Sequence, residues 1–393
     1  MSLARVSSIA SRKYVFVLIA VLSVPTFAVD DVTLNKADQA INKAITFLRS
    51  TQNADGSWSP DAGPAVTSLI TAGMLRHPDI DRNDPTVAKA LAYILKQQKD
   101  DGGFYDSFLA NYNTSISLSA LGRLGDDPEI AKRIKKAHAF LRGIQWTEGK
   151  TDPTGKIIDK SHPYYGGAGY GKHGRPDMSN TQIMLEGLLD SGLDCNDPAF
   201  IRAQAFITRC QGVKQNKAFG DKIKPDGGFI YSTSVNKNLI GVPQSQADPE
   251  KSDAAKAGNF RVVSSLRTYG SMTYAGFKSY LYAKLDNNDP RVVAAFGWIR
   301  KNYTVDENPG MGMQGYFYYL HTFTRALRAW GKPTIQTTDG KQHDWAAEVI
   351  AKLVSLQQSN GSWTNPADRW MEADPNLVTA YALTALHVAA HGD

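Results

Sequence analysis

One structural unit recurs six times along this chain, and that recurrence limits the fold more than any other feature. Each copy opens with an amphipathic helical pattern. In four copies it follows Asp-Pro: Asp84-Pro85, Asp127-Pro128, Asp197-Pro198 and Asp289-Pro290. Aspartate caps the free amides of a first helical turn, and proline already has helical φ and lacks the amide such a turn leaves unpaired. The pattern closes on an aromatic–aliphatic pair, three residues and Gln. Copies one to four read Phe47-Leu48 with Gln52, Tyr93-Ile94 with Gln98, Phe140-Leu141 with Gln145, and Phe206-Ile207 with Gln211. Copy five keeps Trp298-Ile299 but has Tyr303 for Gln, and copy six keeps Gln357 without the aromatic. A Gly-x-aromatic turn follows at Gly56–Trp58, Gly102–Phe104, Gly227–Phe229 and Gly361–Trp363. A second, more apolar helical pattern ends each unit. Aligned on one another, these second patterns place Thr67, Thr114, Thr181, Thr273, Leu320 and Thr379 at one position.

A helix pair is too thin to bury its own apolar face and must stack on its neighbours. An open stack needs polar end caps, yet the first and last copies are no more polar than the rest. The expectation is therefore an all-α (α/α)6 toroid over residues 29–393, with six inner and six outer helices in a double ring. Connections from a second helix to the next first helix are tight, as at Gly125–Pro128. Those from first to second are longer, above all at 147–176 and 212–270, so the insertions gather on one rim, as on a scaffold with a single functional face.

Residues 1–28 stand outside this pattern. A basic stretch ends at Lys13, an apolar run covers Tyr14–Val24, and Thr26-Phe27-Ala28 resembles a signal-peptidase site. The run is about half of the ~20 residues a spanning helix needs, and no later segment is long enough. The reading is a signal peptide cleaved near Ala28, an exported protein in a periplasmic or extracellular compartment, and no stable membrane span; an uncleaved anchor is the alternative. The formal charge of +6 loses its meaning once divided. Of 44 basic residues, Arg5, Arg12 and Lys13 fall in the leader, where there is no acid, and the other 41 face 38 acidic ones. Nothing there points to nucleic acid. Two cysteines cannot supply a zinc or iron–sulfur set, so no metal and no cofactor is expected. Cys195 and Cys210 are also poorly placed to bridge, since a helical pattern of about 13 residues separates them by ~20 Å.

The elements Gln52–Trp58 and Gln357–Trp363, with Gln98–Phe104 as a variant, resemble the Gln-x-x-x-Gly-x-Trp repeat of squalene–hopene and oxidosqualene cyclases. The resemblance extends over the mature chain at the level of repeats. It implies the α/α-toroid superfamily of terpenoid cyclases and protein prenyltransferases, and with it an isoprenoid-type partner. Class II cyclases of that family carry Asp-x-Asp-Asp-Thr at the start of one inner helix, and the middle Asp protonates the substrate. The matching stretch here is Asp177-Met178-Ser179-Asn180-Thr181. Asp177 matches the first Asp, Ser179 stands at the proton donor and Asn180 replaces its neighbour. A serine hydroxyl is far too weak an acid for alkene protonation, so the resemblance carries fold further than chemistry. The prenyltransferase zinc set and the thioester sequence of complement proteins are absent.

Counted from the shared Thr, positions +4 and +7 are apolar and are expected to pack on the outer helices. Positions +1, +5 and +8 then face the lumen. They bring Gln182, Glu186, Tyr274, Lys278, His321 and Arg325 inward. Glu186, Lys278 and Arg325 would share one level, either as a charge-paired plug or as a polar binding pocket. The rim adds His173 and Arg175 beside Asp177, then Tyr319, Trp370, Glu372 and Asp374. Aromatics beside charges suit sugar stacking or cation–π contacts. Three functions are open at this point. The first is a terpenoid cyclase-like enzyme with Asp177 as acid/base. The second is a polysaccharide-active lyase or hydrolase using two carboxylates such as Asp177 with Glu372 or Asp374. The third is a non-catalytic cell-envelope binding module. The partner is a small molecule, isoprenoid or glycan.

Overall fold

The computed structural model describes residues 29–172, 174–247 and 265–392. The leader and His173 lie outside the described residues. Among the described residues, twelve α-helices alternate in two layers. The outer helices are α1 (Asp31–Thr51), α3 (Pro85–Lys96), α5 (Pro128–Ile144), α7 (Pro198–Cys210), α9 (Pro290–Asn302) and α11 (Trp345–Leu356). The inner ones are α2 (Ala65–Met74), α4 (Ala110–Leu121), α6 (Met178–Asp190), α8 (Gly270–Tyr282), α10 (Tyr316–Trp330) and α12 (Pro375–His391). Each inner helix touches the next, and α12 returns to α2, so the ring closes. Each outer helix packs on the inner helix of the preceding unit, and α1 packs on α12. The sequence pattern did not foresee the antiparallel ribbon of Thr334–Gln336 with Gln342–Asp344, which pairs Ile335 with His343 between α10 and α11.

The repeated residues each have a structural task. The glutamine ending an outer helix donates its amide to a carbonyl in the first turns of the next outer helix. Gln52 reaches Thr86 at 2.9 Å, Gln98 Arg133 at 3.0 Å, Gln145 Ala199 at 2.9 Å and Gln211 Arg291 at 2.8 Å. Gln357 reaches Ala40 of α1 at 2.9 Å and closes the circle. Where copy five substitutes Tyr303, its hydroxyl donates to Glu348 of α11 at 2.9 Å. The shared threonine accepts the backbone N–H of the turn. Trp58 donates to Thr67, Phe104 to Thr114, Ala168 to Thr181, Phe229 to Thr273 and Trp363 to Thr379, at 2.8–3.2 Å. The turn glycine is demanded twice over. Gly56 has φ +90°, and a Cβ on it would sit 2.4 Å from the Lys89 carbonyl oxygen of the next outer helix.

The +4 and +7 residues Leu118, Leu121, Leu185, Leu188, Phe277, Tyr280, Leu383 and Leu386 are buried, as the periodicity predicts. So is the α7 stripe Phe200, Ala203, Phe206, Ile207 and Cys210. Both cysteines are free. None of the described helices is long and apolar enough to cross a membrane.

Candidate functional site

The lumen is divided into two chambers. The upper one, a cavity of about 190 Å³, opens toward the rim of long connections. Its wall combines inner-helix residues (Val66, Leu69, Tyr112, Ile116, Ser179, Met272, Tyr318, Leu377, Tyr381) with Tyr170, Tyr231, Tyr269, Trp370, Met371 and Glu372 from the connections. Six tyrosines therefore surround it, and their hydroxyls are largely spent inside the wall. Tyr112 pairs with Tyr381 at 2.9 Å and Tyr170 with Tyr231 at 3.3 Å, while Tyr318 meets Ser179 at 3.0 Å and accepts from Gln182 at 3.0 Å. The mouth holds strained backbone. Leu109, Trp370 and Met371 have φ of +55°, +60° and +66°, and all three line the cavity. Non-glycine residues pay for that region of φ/ψ, and such strain gathers at functional sites. Trp370, 43% exposed, rests against Gly315 and carries the Arg369 guanidinium 4.2 Å from its ring centroid.

The lower chamber, about 30 Å³, lies beyond Leu69, Tyr112, Ile116, Tyr318 and Tyr381, which line both. Ala72, Ser119, Gln182, Glu186, His321, Arg325 and Thr384 surround it, all from the face assigned to the lumen. Glu186 bonds Lys278, lies 3.1 Å from the Arg325 Nε and 3.6 Å from the His321 Nε2, and Arg325 also reaches Asp190 at 2.7 Å. Burial alone would raise the Glu186 carboxyl, but Arg325 and Lys278 together hold it well below the usual carboxylate range. Burial lowers the His321 pKa, which keeps that ring neutral. The three charges placed at one level thus meet, and Asp190 completes a neutral tetrad.

The other expected site residues divide. Ser179 faces the upper chamber and Trp370 guards its mouth. Glu372 lies in the wall, the one carboxyl among the described lining residues. It accepts from the Phe317 and Tyr318 amides at the start of α10 (3.2 and 2.8 Å) and from Asn365 (2.6 Å), while burial raises its pKa. Asp177 does not line the cavity. It caps α6, accepting from the Asn180 amide at 2.8 Å and from the Asn180 side chain at 3.0–3.1 Å, and full burial pushes its pKa up to about 6. Asp374 caps α12 through the Asn376 amide and lies outside the lining. Arg175 ties two connections together through the Ser234 carbonyl and Gln244.

Tyr274 and Tyr319, expected at the pocket, belong to the core. Their rings meet at 5.5 Å, Tyr274 lies 5.0 Å from Phe323, and the Tyr319 hydroxyl donates to the Thr304 carbonyl. Large aromatics where α8 meets α10 fill the space that smaller residues would leave to the lumen. Lys278 is buried behind Glu186 and does not line either chamber. Sequence reasoning missed the upper-chamber stripe, which runs two residues before and two after the shared Thr: Tyr112/Ile116, Leu377/Tyr381, and Tyr318. The inner helices begin two to four residues before the shared position, so this stripe is helical and forms a face of its own. Among the described residues no cluster of three or more His, Cys, Asp or Glu could hold a metal ion.

No protein-family model matches the chain. A squalene–hopene cyclase from Zymomonas mobilis is 30% identical over 110 residues, which is 28% of this chain and only 17% of that protein. Among solved structures, the type II terpene cyclase MstE from Scytonema, in complex with geranylgeranyl dihydroxybenzoate, superposes with a TM-score of 0.52 at 13% identity, over 91% of this chain and 98% of that one. An α-1,6-mannanase from a Salegentibacter species gives 0.58 at 9% identity, over 90% and 99%. A D-mannose isomerase gives 0.54 at 11% identity, over 92% and 99%. At such identities the likeness is one of fold. The chain has the α/α-toroid fold that terpene cyclases and mannanases share.

Proposed function

We propose that the upper chamber binds an apolar molecule of the isoprenoid class, and that the protein, exported through its N-terminal segment, holds this molecule without starting a class II cyclisation. The wall chemistry carries the reading. Six tyrosines, Trp370 and aliphatic side chains enclose the space, and the one carboxyl among them is engaged by three N–H donors. Such a wall gains by removing hydrocarbon surface from water, and its rings suit the chain's flat double bonds. Alkene protonation needs a strong acid aimed into the cavity. Ser179 offers a hydroxyl, Glu372 is a helix cap, and Asp177 lies behind the wall. The terpene cyclase of like fold accommodates a geranylgeranyl chain, which supports the ligand class. A glycan-cleaving reading needs two carboxyls about 5–10 Å apart in one groove, and among the described residues the chamber lining has one.

The test is to incubate the purified chain with squalene and with geranylgeraniol, and then to measure binding by native mass spectrometry and recovered lipid by gas chromatography. Bound, chemically unchanged lipid is the expected result. A cyclised product would overturn the non-catalytic half of the reading. Binding of mannose oligosaccharides with no binding of either lipid would overturn all of it.

A further inference from the structure

We propose that a water molecule in the lower chamber completes a hydrogen-bond chain that makes Ser179 a donor into the upper chamber, so that the isoprenoid held there carries an oxygen acceptor. The proposal rests on reading the upper chamber as an apolar-ligand site, and it adds the functional group of the ligand.

Three residues that line the lower chamber, Gln182, His321 and Thr384, each own a buried polar atom (Oε1, Nδ1 and Oγ1) without a partner among the described residues. Their residues are 1%, 7% and 1% exposed. Native interiors leave few such atoms, and three around one small polar void mark a hydration site. The void of about 30 Å³ has room for one or two waters. The valences also match. A water donates one proton to Gln182 Oε1 and the other to His321 Nδ1, and it accepts from the Thr384 hydroxyl. Neutral His321 turns Nε2 toward the Glu186 carboxylate at 3.6 Å, which puts its proton there and leaves Nδ1 as an acceptor.

The consequence travels upward. With Oε1 engaged by water, Gln182 offers Nε2 to the Tyr318 hydroxyl at 3.0 Å. A phenol has one proton to give. Having accepted from Gln182, and being the stronger acid of the two hydroxyls, Tyr318 directs that proton to Ser179 Oγ at 3.0 Å. Ser179 is then left with a proton that no group among the described residues takes up, on a side chain in the wall of the upper chamber. In an apolar chamber, an unmet donor selects a ligand that can accept from it. A hydrocarbon leaves it unmet, whereas an isoprenoid alcohol, ether or carbonyl satisfies it.

A matched pair of probes tests this: geranylgeraniol and the C20 hydrocarbon with the hydroxyl removed, titrated against the full chain with Trp370 fluorescence as readout. One satisfied hydrogen bond predicts about a tenfold preference for the alcohol. Ser179→Ala should bring the alcohol to within about twofold of the hydrocarbon. Equal affinities in the wild type, or a preference that survives Ser179→Ala, would overturn the proposal. If neither probe binds, the reading of the chamber falls first and this inference with it. A crystal structure should show an ordered water between Gln182, His321 and Thr384; a dry lower chamber would also overturn the chain.

Discussion

Removing both ends of the Glu186–Lys278 pair should destabilise the ring no more than removing one of them. The lower lumen holds Glu186, Asp190, Lys278 and Arg325, four formal charges that sum to zero within a buried cluster. Glu186→Gln leaves a net positive charge against only Asp190. Lys278→Met leaves a net negative charge against only Arg325. Losing one partner of a buried ion pair costs about 3–5 kcal/mol, because the other charge stays desolvated and unanswered. The double variant keeps the Asp190–Arg325 pair at 2.7 Å and is again neutral. Two charges about 4 Å apart at an effective dielectric near 20 interact by about 4 kcal/mol. The coupling energy across the cycle should therefore be about 3–5 kcal/mol, which leaves the double variant no less stable than the worse single one. Urea unfolding of the four proteins at pH 7 measures it. The pair is shielded from solvent, so the coupling should also persist in 1 M salt, where exposed pairs fade. Single effects that add to the double within about 0.5 kcal/mol would refute the reasoning.

Asp177 predicts a pH dependence of known sign. Its carboxyl is raised to about 6 by burial, against 3.8 for the free side chain, so the native state binds its proton more tightly. Stability from this group is complete below pH 4 and is lost as pH rises through 6, by up to about 3 kcal/mol. Asp177→Asn, which can still cap, should gain on the wild type between pH 4 and 7 in thermal melts; parallel curves would contradict this. Gln357→Ala removes the hydrogen bonds to Ala40 and Gly361 and should cost about 1–3 kcal/mol, matching Gln98→Ala at an interior junction. A negligible loss at Gln357 alone would show that the circle is not sealed there. In thiol labelling, half-buried Cys195 should react in the native protein. Cys210, buried and with its pKa raised by that burial, should react only after unfolding.

The fold was legible because its signals repeat. Asp-Pro starts, terminal glutamines and turn glycines each answer a local steric or hydrogen-bonding need. Six near-copies let a weak signal in one unit be checked against the others. The common threonine was found by alignment alone, and its task, receiving the turn amide, emerged only with coordinates. The charged cluster was legible for the same reason: Glu186 and Arg325 share a helix position and one level of a ring. The upper chamber was legible only in part: Ser179, Trp370 and Glu372 were among the expected site residues, whereas Tyr170, Tyr231 and Tyr269 reach it from irregular connections with no periodicity to read. Asp177 and Asp374 illustrate the opposite failure. An acidic residue just ahead of a helix reads equally as an acid/base group or as a cap, and at both positions the helix amides claim the carboxylate.

The glutamine latch between α11 and α1 also bears on how this protein comes apart. A linear array of repeats has terminal members with one neighbour each, and these fray first. Here every outer helix is clasped at both ends of the cycle, and α1 leans on α12 as α3 leans on α2. No unit is the cheapest to lose, so opening any one junction exposes the apolar flanks of two. Such a molecule should melt in a single cooperative step, and its lumen should admit a guest only through the rim, never through a breathing seam in the wall.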